Sequence, residues 1–287
     1  MWPRGAMDNA SAYGAEDCRF ESCRGRNSFL QISTMPSYRF EAARGPVILA
    51  RIPLKNVFQA AMSMPAIGVL MAFVIGYSVD TGFLYNYYWR CRTVYLPSVS
   101  RLLNLPLERI LWNLLSLSSV PLQLMVVLRQ YILTFSTSNK LQFLRVVMVI
   151  SSVFQSLFLT LLATVGERES GEFHVAFFSG FAVSTIINYT VFTILMRFTA
   201  KDENPKHGRR RVTVLLGLVI TLPTIFIAFI LHNVFCVKAA YEAFAIFEYL
   251  TIILIYAFHV SNFYLYSDPS LKILVCLKNG KTAAVRI

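Results

Sequence analysis

Long apolar runs alternate with short polar stretches along most of the chain. Runs of about 18 or more apolar residues are the signal for a helix that spans a membrane, since about 20 residues cross the hydrocarbon layer. Six runs meet this criterion, at residues 57–79, 110–128, 146–165, 175–196, 213–231 and 243–262. None of them alternates apolar and polar residues as a lipid-facing barrel strand does. The pattern therefore predicts six transmembrane helices.

Composition supports a membrane protein. Of the 287 residues, 56% are hydrophobic and only 15% are charged, and the mean hydropathy is +0.55. A soluble domain of this length is less apolar. We therefore expect an all-α polytopic integral membrane protein, with 1–56 as a disordered cytosolic tail, 57–266 as the transmembrane domain and 267–287 as a cytosolic tail. Met35 is an alternative start within the first tail.

The distribution of Lys and Arg predicts the orientation of these helices. Of the 27 basic residues, 21 lie in the two tails and in the second and fourth connections. Cytosolic segments beside membrane spans carry this excess, so both termini are predicted to be cytosolic. The net charge of +12 lies beside the spans and lacks an aromatic-interleaved patch, which argues against nucleic acid as a partner. The run "KHGRRRV" at 206–212 is expected to touch anionic cytosolic lipid.

Two cysteines fall in connections that this topology places outside the cytosol. Cys91 is in the first connection and Cys236 in the fifth. An oxidising compartment would allow them to pair, and two free thiols are the alternative. His232 and Cys236 are four residues apart, but two ligands do not make a zinc site, so we expect no metal.

Ionisable residues inside apolar spans are costly and often functional. Glu248 and His259 are eleven residues apart on the last predicted helix, so they share a face but lie about 16 Å apart along the axis and cannot touch. For Glu248, proton exchange with a ligand and structural pairing are both open. Gln155 and Asn188 are expected to link helices by hydrogen bonds.

The string "YLPSVS" at 95–100 precedes the second span. Aromatic residues favour the headgroup region, and a proline fixes a turn. We therefore predict an interfacial segment whose serine hydroxyls face polar parts of a lipid. The residues predicted to contact this lipid are Tyr95, Pro97, Ser98 and Ser100.

Several of these strings together resemble the post-GPI-attachment-to-proteins factor 2 family, within the wider DRAM-like group of six-span proteins. The resemblance runs over about residues 40–266 and is carried by "YLPSVS", "HN" at 232–233, Cys236, "FAIFEY" at 244–249 and "AFH" at 257–259, and it includes His174. It implies a Golgi or endoplasmic reticulum membrane protein that acts in fatty-acid remodelling of GPI anchors. In that step a lyso-GPI is reacylated with a saturated chain.

The resemblance also implies partners and roles. The partners are membrane lipid, GPI-anchored proteins carrying lyso-GPI, and an acyl donor that is a lipid or acyl-CoA, with no cofactor. Glu248 and His232 are the candidates for general-base help to a lipid hydroxyl, and Asn233 joins the substrate-binding set. His259 is assigned to helix packing or a proton path. The chain would be either an acyltransferase or an accessory to one.

This sequence departs from the family pattern at several polar positions. Ser119 and Gln123 stand where His and Arg are expected, Gln155 replaces a carboxylate, and Ile255 replaces an Asn. Divergent chemistry or a shifted substrate preference would follow from these changes. A non-enzymatic DRAM-like lipid scaffold, or a stress- or autophagy-related membrane protein, is the alternative function.

Overall fold

The computed structural model describes residues 47–85, 87–89, 91–200, 203–266, 270–278 and 281–286. These residues form two compact units. One unit covers residues 55–268 and contains the helices, and the other holds the strands before Leu54 and after residue 269. Most of the predicted N-terminal tail lies outside the described residues.

Six long helices make up the larger unit. They are α1 (Leu54–Ser78), α4 (Pro106–Leu133), α5 (Asn139–Thr164), α6 (Gly171–Thr199), α7 (Pro205–Asn233) and α8 (Ala240–Ser261). Two short helices, α2 (Thr81–Leu84) and α3 (Val99–Leu103), lie between α1 and α4, and a 3₁₀ turn at Phe263–Tyr266 follows α8. All six long helices are long and apolar enough to cross a membrane, so the predicted six-span, all-α class is confirmed.

The surface of the helix bundle is apolar, as contact with lipid requires. Each long helix presents a large aliphatic side chain outward, with between 51% and 65% of that side chain exposed. One example from each is Leu70, Ile110, Ile150, Val183, Ile220 and Ile253. Lipid tails solvate such side chains, whereas water would not.

The interior is formed mainly by α5 packed along α6 and by α7 packed along α8. A buried cluster joins these four helices through residues such as Met148, Phe192, Leu218 and Phe258. The rings of Tyr189 and Phe258 stack at 3.9 Å between α6 and α8. These contacts fix the face of α8 that carries Glu248 and His259.

Helix α7 begins eight residues earlier than predicted, because the basic run 206–212 is helical. Asn204 caps it by accepting from the Lys206 N–H at 3.0 Å, and Pro205 takes the first helical position, where a missing N–H costs nothing. Arg211 is buried, pairs with Glu203 and donates to the Tyr264 hydroxyl at 3.3 Å. Arg211 therefore has a structural role that was not predicted, and the contact of the run with anionic lipid stays a prediction.

Strands are confined to short segments in the part of the chain that the structure describes. β1 (Val47–Pro53), β4 (Ser270–Lys278) and β5 (Lys281–Arg286) form an antiparallel sheet in the order β1-β4-β5. β2 (Tyr87–Trp89) and β3 (Arg92–Val94) form a hairpin. The end of the tail predicted to be disordered up to residue 56 thus contains a strand and the first residues of α1.

Candidate functional site

The segment from Pro97 to Ser100 turns inward instead of lying at the bundle surface. Tyr95 is 62% exposed, but Pro97, Ser98 and Val99 are buried. Backbone polar groups at membrane depth must be paired within the protein, because lipid offers them no partner. The start of α3 is therefore a place where hydrogen-bonding side chains are required.

Glu248 supplies most of that pairing from α8. Its Oε2 accepts from the Val99 N–H at 2.7 Å, and its Oε1 accepts from the Ser100 hydroxyl at 2.6 Å and from the Ser100 N–H at 3.3 Å. A carboxylate that accepts from backbone N–H groups at the start of a helix is a strong cap. Glu248 thus holds the predicted lipid-contacting segment in place.

Two tyrosines of α8 complete the attachment. The Tyr249 hydroxyl donates to the Pro97 carbonyl, and the Tyr241 hydroxyl donates to Ser98 Oγ at 3.3 Å. Ser98 Oγ also accepts from the Arg101 N–H at 3.0 Å and so caps α3. Both serine hydroxyls predicted to face a lipid are engaged by the protein.

Glu248 lies deeper than predicted. The predicted span starts at residue 243, which would put Glu248 five residues, or about 8 Å, from the start of the helix. Because α8 begins at Ala240, the distance is eight residues, or about 12 Å. The segment at 95–100, which was predicted to be interfacial, turns inward and contacts Glu248 through Val99 and Ser100. The sequence predicted a lipid-facing loop at 95–100, whereas the structure has a buried turn there that Glu248 caps.

The loop between α5 and α6 packs at the same end of the bundle. Arg109 of α4 donates to both carboxylate oxygens of Glu169, at 2.7 and 2.9 Å, and to the Thr164 carbonyl. Arg101 of α3 lies 3.8 Å from Glu167. Burial raises the pKa of the Glu167 carboxyl, and the nearby Arg101 charge opposes that rise.

A cavity of about 200 Å³ lies beside Glu248 and is lined by residues of α1, α3, α4, α5, α6 and α8. It follows α8 from Glu248 to His259, so it extends about 16 Å along the axis of that helix. Its wall is largely apolar. A second cavity of about 60 Å³ shares Ser100, His174, Phe178 and Glu248 with it and reaches α7.

His259 lines the far end of the large cavity. Its Nε2 lies 2.9 Å from the Tyr189 hydroxyl, and the two rings meet edge to face. Asn188, one residue earlier on α6, donates to the Met148 carbonyl at 2.9 Å and to Ser152 Oγ at 2.5 Å on α5. Asn188 therefore links two helices as predicted for it.

His232 and Asn233 lie at the end of α7, and neither is among the residues that line the large cavity. The His232 ring is buried and meets Tyr241 edge to face at 5.2 Å. Asn233 donates to the Phe229 carbonyl of its own helix at 2.8 Å. A disulfide joins Cys91 to Cys236, and Cys91 Sγ lies 3.3 Å from the His232 carbonyl oxygen.

Two residues without a predicted role line the large cavity. His174, in the first turn of α6, is buried and lines both cavities. Thr251, one turn after Glu248 on α8, is buried and lines the large cavity. His174 could have been singled out as the histidine near the predicted non-cytosolic end of an apolar span. Thr251 carries no such signal.

Residues 54–264 match the model of the Frag1/DRAM/Sfk1/Cwh43P N-terminal domain family. The chain belongs to this family. The match covers all six long helices completely, and it includes Glu248, His174 and the Pro97–Ser100 segment.

Several curated proteins are similar to the chain along most of its length. Over 240 residues it is 25% identical to Post-GPI attachment to proteins factor 2 of Drosophila melanogaster, covering 80% of this chain and 92% of that protein. The protein of the same name from Caenorhabditis elegans is 25% identical over 182 residues, covering 59% of this chain and 69% of that protein. No solved structure matches the chain.

Proposed function

We propose that this protein acts in the fatty-acid remodelling of GPI anchors, at the step in which a lyso-GPI is reacylated, in the Golgi or endoplasmic reticulum membrane. The observation that carries this proposal is the likeness to proteins named post-GPI attachment to proteins factor 2 over as much as 92% of their length. Stable surface expression of GPI-anchored proteins would depend on the step.

The large cavity suits one acyl chain of such a lipid. Its length of about 16 Å corresponds to roughly 13 bonds of an extended chain, at about 1.2 Å per bond. An apolar wall receives the hydrocarbon, and the polar end at Ser100 and Glu248 lies on the side of the predicted non-cytosolic connections. A lipid of that leaflet would enter with its glycerol near Glu248.

Within this proposal Glu248 is first a positioning residue, because its carboxylate holds the segment that borders the cavity. Tyr95, exposed beyond that segment, and Asn233 are proposed to meet the headgroup. His232 contacts Cys91 of the disulfide through its backbone carbonyl and supports this end of the bundle through Tyr241. The acyl donor is an acyl-CoA or an acyl lipid.

The proposal is tested by lipid analysis of GPI-anchored proteins from cells that lack this protein. We expect lyso or unsaturated anchors to persist and surface levels of GPI-anchored proteins to fall, and both to recover when the wild-type chain is restored. Unchanged anchors would exclude the proposal and would favour the alternative of a non-enzymatic DRAM-like lipid scaffold.

A further inference from the structure

Two buried side chains that line the large cavity each have a polar atom without a hydrogen-bond partner among the described residues. These atoms are Nε2 of His174 and Oγ1 of Thr251. His174 comes from α6 and Thr251 from α8, so they are contributed by different helices. An unpaired buried polar group is costly, and such groups usually have a partner. A partner supplied by a ligand would account for both.

Four other polar side chains that line the cavity are different, because the protein itself forms hydrogen bonds or close contacts with them. Glu248 accepts three hydrogen bonds from α3, and Asn188 donates to α5. Gln123 donates to Ser119 Oγ at 2.9 Å, and His259 lies 2.9 Å from the Tyr189 hydroxyl. His174 Nε2 and Thr251 Oγ1 thus differ from these four side chains in having no partner among the described residues.

The tautomer of His174 follows from its other ring nitrogen. Nδ1 lies 2.9 Å from the Val165 carbonyl oxygen, which can only accept, so Nδ1 carries the hydrogen. In the neutral ring Nε2 then has a free lone pair. A carbonyl that fixes one ring nitrogen while the other meets the ligand is the usual arrangement of a histidine base.

We propose that His174 Nε2 accepts a hydrogen bond from the free glycerol hydroxyl of a lysolipid bound in the large cavity, and takes its proton during reacylation. Thr251 Oγ1 donates to a neighbouring oxygen of the same glycerol and orients it. This inference rests on the proposed function and assigns the general base to His174 in place of His232 or Glu248.

The chemical step balances with an acyl thioester or acyl ester as the donor. The hydroxyl oxygen forms a new ester bond to the acyl carbon, and the donor's C–S or C–O bond breaks. The proton passes from the hydroxyl to His174 Nε2 and then to the departing thiolate or alkoxide. Asn104 and Ser100 lie on the same wall but already bond to each other or to Glu248.

The test measures recognition of the hydroxyl by the purified full-length chain. The probes are a lysophosphatidylinositol with a brominated acyl chain and its analogue that lacks the free glycerol hydroxyl. Trp112 lines the large cavity, so a brominated chain that enters should quench its fluorescence. A Trp112→Phe variant identifies the part of the signal that comes from this site.

We expect the wild-type chain to bind the hydroxylated lipid about tenfold more tightly than its analogue, the effect of about one buried hydrogen bond. His174→Asn can keep a donor toward Val165 but removes the Nε2 lone pair, so it should lose the preference. Thr251→Val should reduce it. Thr185→Val is the matched control, because Thr185 is also a buried threonine with an unpaired hydroxyl among the described residues but does not line the cavity.

Equal binding of the two lipids by the wild-type chain would overturn the inference. So would an unchanged preference in His174→Asn, or, should that variant not fold, in Thr251→Val. The cellular anchor analysis is read separately. A preference that depends on His174, in a protein whose loss leaves anchors unchanged, would support this lysolipid site while excluding the proposed function.

Discussion

At the scale of single residues, the carboxylate of Glu248 is placed in a hydrophobic helix because a backbone turn lies beside it. The N–H groups of Val99 and Ser100 need acceptors, and both carboxylate oxygens provide them. A glutamine has one acceptor oxygen, and its NH₂ group would meet a donor. Gln therefore cannot reproduce this cap, although it has nearly the same size.

Glu248→Gln should consequently destabilise the protein even if Glu248 never exchanges a proton with a ligand. Hydrogen bonds to charged groups contribute about 1.5–3 kcal/mol, so we expect a loss of that order. Ser100→Ala, which removes only one of the donors, should cost less, at about 1 kcal/mol. Thermal unfolding of the purified variants in detergent measures both. A Gln variant as stable as wild type would contradict the capping role.

The sequence could place Glu248 near residues 95–100 but could not show how they meet. Membrane depth follows from hydropathy, and the two features shared the predicted non-cytosolic side. The inward turn before α3 depends on side chains far away in sequence, such as that of Tyr249, which is 152 positions from Pro97. No local pattern reveals such a contact. Similarly, His232 and His174 both look like terminal histidines in sequence, and only packing separates the one that lines the cavities.

At the scale of elements, Asn188 connects α6 to α5 near the middle of both helices. Its NH₂ group donates to the Met148 carbonyl and to Ser152 Oγ, so the site on α5 consists of acceptors. Interhelical hydrogen bonds in membranes are worth about 0.6–2 kcal/mol. The connection specifies the register of two helices more than it stabilises them.

The effect of replacing Asn188 should therefore depend on whether the new side chain donates a hydrogen bond, makes none, or carries a negative charge. Asn188→Ala removes the donor and should cost about 1 kcal/mol. Asn188→Asp places a carboxylate against the Met148 carbonyl, and a charge at membrane depth costs at least about 2.5–3.5 kcal/mol, so this variant should be poorly expressed or retained. Yield and detergent stability of the two variants test this order, and an Asp variant better tolerated than Ala would refute the contact.

The disulfide connects the first and fifth connections, which are 145 residues apart in sequence. It joins the β2–β3 hairpin to the turn after α7, where Cys236 has a positive φ of 52°. A covalent link over so long a loop restricts the unfolded chain and should stabilise the fold.

Cys91 and Cys236 should resist alkylation in intact membranes until a reductant is added. Cys91→Ser and Cys236→Ser should each lower thermal stability, and the double variant should lower it little further, because either change removes the same bond. Mass spectrometry of alkylated peptides provides the first measurement. Equal labelling of both thiols without reductant would show that the bond is absent.

The spans were predictable as elements because each is a continuous apolar run. The residues at which the helices begin and end were less predictable. α7 extends into the basic run because Arg211 finds Glu203 and Tyr264, and α8 begins three residues early at Ala240. Hydropathy locates the lipid-contacting part of a helix, whereas capping and ion pairs decide where the helix stops.

At the scale of the whole molecule, six helices connected in series place the first, third and fifth connections at one end of the bundle. Three contacts lie at this end: the hydrogen bonds of Glu248 to α3, the ion pair of Arg109 with Glu169, and the disulfide. The segments predicted to be cytosolic hold 21 of the 27 Lys and Arg residues of the sequence. Disulfides form outside the cytosol, because thiols stay reduced in the cytosol, and connections rich in Lys and Arg stay on the cytosolic side. The disulfide and the basic segments are therefore expected on opposite sides of the membrane.

Tags at residue 20, within 200–208 and at the C-terminus should therefore all be cytosolic. The physical reason is that Lys and Arg near the ends of spans are retained on the cytosolic side during insertion. With the proposed location in the Golgi or endoplasmic reticulum, permeabilising the plasma membrane alone should make each tag accessible to antibody or protease, while a tag beside Cys236 should be protected. Protection of any of the three would contradict the orientation. It would also move the polar end of the cavity, and with it His174 and Glu248, to the cytosolic leaflet, where a lipid hydroxyl approaching from the other leaflet could not reach them.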